Sequence, residues 1–156
     1  MNSDFSIWVD ADSCPIQVRN IISKASIRLK IKLFFVANHE IKNIKNCLSQ
    51  MIIVESVKDS ADNYIVENAQ ENDLVITRDI PLAERLVNKN IVALNDRGTV
   101  FNHENISYLR SIRDFNFQMA QYGITADKTG TLNQKDISNF SNCLDRELQK
   151  KLKSKD

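Results

Sequence analysis

Aspartates recur at one kind of place in this chain: directly after short apolar runs. Asp10 and Asp12 follow Phe5–Val9, Asp79 follows Leu74–Thr77 after Arg78, and Asp96 follows Ile91–Leu94. Asp59 and Asp62 stand just beyond Met51–Val54, where a helix is expected to begin. Carboxylates brought together in this way suit a hard divalent cation such as Mg²⁺ or Mn²⁺, which takes oxygen ligands and keeps waters for substrate work. Two carboxylates about 4 Å apart repel by about 4 kcal/mol at an effective dielectric near 20. Three or four of them in one place require a cation, a shared proton or bulk water.

The nearest basic groups in sequence are Arg78 and Arg97. Either can meet a phosphate oxygen, or pair with a neighbouring aspartate. Ser13 and Asn38 are further candidates for substrate binding; capping and turn formation are their simpler roles. Asp12, Asp62 and Asp79 also suit helix capping. Asp10 is harder to explain structurally, because it ends an apolar strand and a buried carboxylate needs a partner. For Asp59 and Asp96, solvation in a loop is the better reading.

These residues need a scaffold. Phe5–Val9, Ile31–Ala37, Met51–Val54, Leu74–Thr77 and Ile91–Leu94 are short runs rich in apolar and β-branched residues, the pattern of strands buried on both faces. Helical patterns lie between them. Val18, Ile21, Ile22, Ala25 and Leu29 share one face after Pro15, with Asp12 or Ser13 as cap. Ala61, Ile65, Val66 and Ala69 form a second stripe capped by Ser60. Leu82, Ala83, Leu86 and Val87 form a third, capped by Asp79 with Pro81 in its first turn. Asn102–Tyr122 carries Ile106, Leu109, Ile112 and Ala120 and stops at Gly123.

Strands alternating with helices predict an α/β fold with a mostly parallel five-stranded sheet and helices on both faces. In such a sheet the carboxyl ends of the strands share one edge, and ligands bind there. His39–Gln50 reads as a polar connector and Asp127–Asn133 as a loop. A last helix, with Ile137, Phe140, Leu144 and Leu148 on one face and Asn133 as cap, is expected to pack back on the domain. The lysines at 150, 151, 153 and 155 form a solvated tail.

The bulk properties narrow the function classes. The 156 residues suit one domain, and 42% hydrophobic content supplies a core without staples. A net charge of +1 argues against coating nucleic acid by charge alone, but not against gripping a few phosphates. Three widely spaced cysteines, Cys14, Cys47 and Cys143, fit reduced thiols better than disulfides or a zinc site. Surface or cap positions explain His39 and His103. No targeting segment is visible, and no apolar run reaches membrane-spanning length, so a soluble, cytoplasmic protein with no membrane partner is expected. The sequence leaves the oligomeric state open.

Several blocks in order resemble the YaiI/YqxD family of uncharacterised bacterial proteins. They are Ile7–Pro15 (IWVDADSCP), Val36-Ala37-Asn38, Asp59–Asn63 (DSADN), Leu74–Ala83 (LVITRDIPLA), Leu94–Gly98 (LNDRG), Arg113-Asp114-Phe115 and Leu144-Asp145-Arg146. Between Gly123 and Asn133 the chain lacks the glycine- and proline-rich loop frequent in that family. The resemblance implies a three-layer PIN-like fold, shared with metal-dependent ribonucleases. Residues 1–123 would form the PIN-like domain, and 124–156 a loop and an added C-terminal helix packing on it.

By the same resemblance, Asp10 and Asp79 match the acids that bind Mg²⁺ or Mn²⁺ best, with Asp12 and Asp62 next. Asp59, Asp62 or Glu67 stands where the usual pattern has a glutamate. The implied activity is a metal-dependent nuclease on RNA or another nucleic acid, with Asp10, Asp12 and Asp79 catalytic. Two other readings stand beside it. One is a PIN-like binding module without catalysis. The other is a haloacid-dehalogenase-type phosphatase, in which Asp10 of the Asp10-x-Asp12 pair is the nucleophile; Thr77 can pass for its middle motif, but Cys14, and the lack of a clear later lysine and acidic pair, fit it poorly.

Overall fold

The computed structural model describes residues 4–42, 46–124 and 132–153. A six-stranded sheet runs through the middle in the order β3-β2-β1-β4-β5-β6. Its strands are β1 (Ser6–Asp10), β2 (Lys32–Ala37), β3 (Ser49–Ile53), β4 (Leu74–Ile76), β5 (Val92–Leu94) and β6 (Val100–Phe101). The first five are parallel, as the alternation of strands and helices predicts, and β6 adds antiparallel to β5. The sixth strand escapes sequence reading because two residues carry no period. It forms because the Asn95 side chain accepts from the N–H groups of Arg97 and Thr99 and closes a tight turn. β1 is central, and the chain's path reverses direction across the sheet between β1 and β4, the kind of switch point at which open α/β sheets bind ligands.

Period-two alternation divides the core. On one face Ile7, Val9, Leu33, Phe35, Leu74 and Ile76 pack against Val18 and Ile22 of α1 (Ile16–Leu29) and against Phe140, Leu144 and Leu148 of α5 (Gln134–Lys153). On the other face Trp8, Val36, Val75 and Ala93 pack against α2 (Ser60–Asn68), α3 (Ile80–Asn88) and the start of α4 (Ile106–Gln121). The last helix therefore packs back on the sheet. The Trp8 ring stacks on Phe34 at 4.4 Å between centroids. Buried Asp73 accepts from the Trp8 indole at 3.0 Å and from the Ser6 N–H at 2.8 Å, which satisfies both the carboxylate and the donors.

Some local expectations are corrected. Asp12 and Ser13 do not cap α1; they lie in a 3-10 turn, Ala11–Ser13, and Pro15 takes the N-cap position with no side-chain bond. Asp59, not Ser60, is the N-cap of α2 and adopts a left-handed backbone, φ 64°. Asp79 does cap α3, accepting from the Leu82 N–H at 3.0 Å, and Asn133 accepts from the Asp136 N–H at the start of α5. In α4 only Ile106 is buried; Tyr108, Ile112 and Phe115 face outward. Most of the expected loop at 127–133, and Lys155 of the tail, lie outside the described residues. No helix among the described residues is long and apolar enough to cross a membrane.

Candidate functional site

Asp10 is the last residue of β1, and β4 runs beside it, so the two carboxyl ends deliver Asp10 and Asp79 to one place. An open cavity of about 590 Å³ lies there. Asp10, Asp12, Ser13, Asn38, Asp59, Asp62, Arg78 and Asp79 all contribute to its lining. The crossover from β3 into α2 also lines it, through residues such as Ser56 and Lys58. Most of the sequence candidates thus meet across some seventy positions of chain.

Arg97 does not join them. Its guanidinium reaches Asp136 of α5 at 2.9 Å, and it is not among the lining residues. Arg78 lines the cavity but is paired closely with Asp96. Asp96 is 3% exposed, so this pair, and not loop solvation, explains that aspartate.

Asp10 is 7% exposed. Its Oδ2 accepts from the Thr77 hydroxyl at 2.9 Å, and the same hydroxyl oxygen accepts from the Asp79 N–H at 3.0 Å. Thr77 therefore sets the spacing between the two acids. Burial pushes the Asp10 carboxyl above the usual carboxylate range; the Thr77 bond opposes this, and Asp79 and Asp12 add to it. Asp62 is pushed up to about 7 by burial, by the charges of Asp79 and Asp10, and by a hydrogen bond shared with Asp79. A carboxyl in that range is only part-ionised near neutrality.

Asp12 is differently engaged. Its Oδ2 accepts from the Asn38 N–H at 3.2 Å, and its Oδ1 lies 3.2 Å from the His39 ring. It ties the 3-10 turn to the end of β2. Among the described residues no three His, Cys, Asp or Glu side chains gather closely enough to grip an ion unaided. The donor chemistry fits a hard cation all the same. Asp10, Asp62 and Asp79 are oxygen donors crowded enough to share a proton, and Mg²⁺ commonly binds through one or two carboxylates plus water and substrate phosphate.

A sequence profile of the family described as "Uncharacterized BCR, YaiI/YqxD family" matches residues 8–150. The chain belongs to the YaiI/YqxD family. Relatives in it carry the name UPF0178 protein. One from Treponema denticola is 46% identical over 149 residues, covering 96% of this chain and 95% of the relative. One from Colwellia psychrerythraea is 43% identical, covering 90% and 93%, and one from Myxococcus xanthus is 40% identical, covering 95% and 97%. No solved structure matches the chain. Family membership extends over every element that builds the cavity and brings no established activity with it.

Two residues with a place in or beside the site escape sequence reading. Thr77 is marked in the sequence only as a possible motif of the phosphatase reading; its bond to Asp10 and to the Asp79 N–H is not. Arg19 lies on α1 beside Asp12, at a helical position that usually points to solvent.

Proposed function

We propose that this protein is a metal-dependent phosphodiesterase acting on RNA or another nucleic acid. One observation carries the reading: Asp10, Asp12, Asp62 and Asp79 line a single open cavity at the sheet's switch point. Asp10 and Asp79 would hold Mg²⁺ or Mn²⁺, which when bound supplies a Lewis acid for a phosphate oxygen and lowers the pKa of a water. Thr77 keeps the Asp10 carboxylate oriented. Asp12 and Asp62, which line the same cavity, would complete the shell or orient waters. Ser13 and the Asn38 amide face the cavity as neutral donors for phosphate. Arg78, fixed by Asp96, offers charge at the rim.

The test compares wild type with Asp10→Asn in Mn²⁺-dependent cleavage of labelled single-stranded RNA. Loss of about a hundredfold or more is expected for a residue in the reacting machinery. Equal cleavage by the two forms overturns the proposal. The absence of a converged three-ligand cluster among the described residues favours one alternative, a binding module that retains RNA without metal and without turnover.

A further inference from the structure

The acidic cavity has a neighbour. A second opening of about 270 Å³ is lined by Asp12, Cys14, Arg19, His39, Glu40 and Lys42, and it adjoins the first at Asp12, which lines both. Arg19 stands in the first turn of α1, where its N–H closes the first helical bond to the Pro15 carbonyl. Its guanidinium Nε is buried and meets no hydrogen-bond partner, the one buried side-chain nitrogen or oxygen in that condition among the described residues.

A buried polar donor left unpaired is destabilising, and more so when charged. The two acids of this cavity do not relieve it. Asp12 is engaged by the Asn38 N–H and the His39 ring, and Glu40 is exposed with no hydrogen bond to Arg19. Burial pushes the Cys14 thiol up to about 12, so no thiolate stands in as counterion. The guanidinium is thus not held by a counterion within the fold, Arg19 lines the opening, and a planar guanidinium fork matches a phosphate group.

We propose that Arg19, assisted by Lys42 at the mouth, is a second anion subsite that takes a neighbouring phosphate of the strand whose scissile phosphate lies at the acidic cavity. This rests on the nucleic-acid reading above. It makes a strand of more than one phosphate the preferred substrate and sets the direction in which that strand crosses Asp12.

The test is fluorescence anisotropy of a labelled single-stranded RNA across a range of monovalent salt. The Asp10→Asn form is used so that the strand stays intact. Adding Arg19→Gln is expected to weaken binding about tenfold. It should also lower the slope of log affinity against log salt by about 0.7, the loss of one phosphate contact on a single strand. Arg19→Lys should restore the slope. Lys42→Gln alters an exposed side chain, so it serves even if Arg19→Gln does not fold; a smaller slope is expected there too. An unchanged slope in the folded variants, with RNA still bound, overturns the subsite and leaves the nuclease reading standing. Wild type that neither binds nor cleaves RNA removes both.

Discussion

Asp10, Thr77 and Asp62 show how burial turns ordinary side chains into a site. The folded pKa of Asp62 lies well above its unfolded value, so the folded state holds its proton more tightly than the unfolded chain does. The stability this contributes is complete below about pH 4 and is lost as pH rises through about 7. In EDTA, this contribution should lower the melting temperature of wild type from pH 5 to pH 8. Asp62→Asn, which mimics the protonated form, should flatten that fall and melt higher than wild type at pH 8. Parallel curves for the two proteins would refute the assignment. The cysteines give a second check. Cys14, up to about 12, and buried Cys143, whose pKa is also raised, are shielded, whereas Cys47 is exposed. Iodoacetamide under native conditions should label Cys47 first, read by peptide mass spectrometry. Early labelling of Cys14 would contradict its environment. The sequence names Asp10 and Asp79 as ligand candidates from position alone, but is silent on the bridging role of Thr77, which needs β1 and β4 to be neighbours.

Among the elements, α5 depends on a turn far away in sequence. Gly98, φ 87°, lies so close to α5 that a Cβ there would come within 2.7 Å of the Asn139 carbonyl oxygen. Arg97 beside it pairs with Asp136, while Asp136 and Asn133 cap the helix reciprocally: each carboxylate or amide oxygen accepts the other's backbone N–H. Gly98→Ala should destabilise by roughly 1–3 kcal/mol from backbone strain, with a further loss as α5 is displaced. Asp136→Ala should cost about 1 kcal/mol for the cap, and somewhat more with the Arg97 pair gone. Urea denaturation measures both, and a Gly98→Ala protein as stable as wild type would show that the turn and helix do not need this contact. Capping was only half legible. Asp79 precedes a proline and a strong apolar stripe and caps as expected. Asp12 and Ser13 precede the same kind of pattern, yet are drawn into a 3-10 turn, where Asp12 is held by Asn38 and His39 from the end of β2.

For the whole molecule, the sheet order places the ends of β1 and β4 side by side, and the proposed ion binding should register as stability. At a hundred times its dissociation constant a specific ion adds ~2.7 kcal/mol, about 5–10 °C for a chain of 156 residues. Mn²⁺ should raise the melting temperature of wild type by that order, and Asp10→Asn or Asp79→Asn should abolish the shift. An equal shift in all three proteins would mean binding elsewhere. By itself the sequence determined the α/β class, the parallel strands, the return of the last helix to the core and the acids at one edge. These follow from local period and from the rule that parallel strands end together. Only the tertiary structure decided that Arg78 and Arg97 are spoken for by Asp96 and Asp136, that Thr77 bridges Asp10 and Asp79, and that Arg19 has a buried nitrogen to spare. Such pairings depend on strand order and side-chain direction across tens of residues, and no local pattern encodes them.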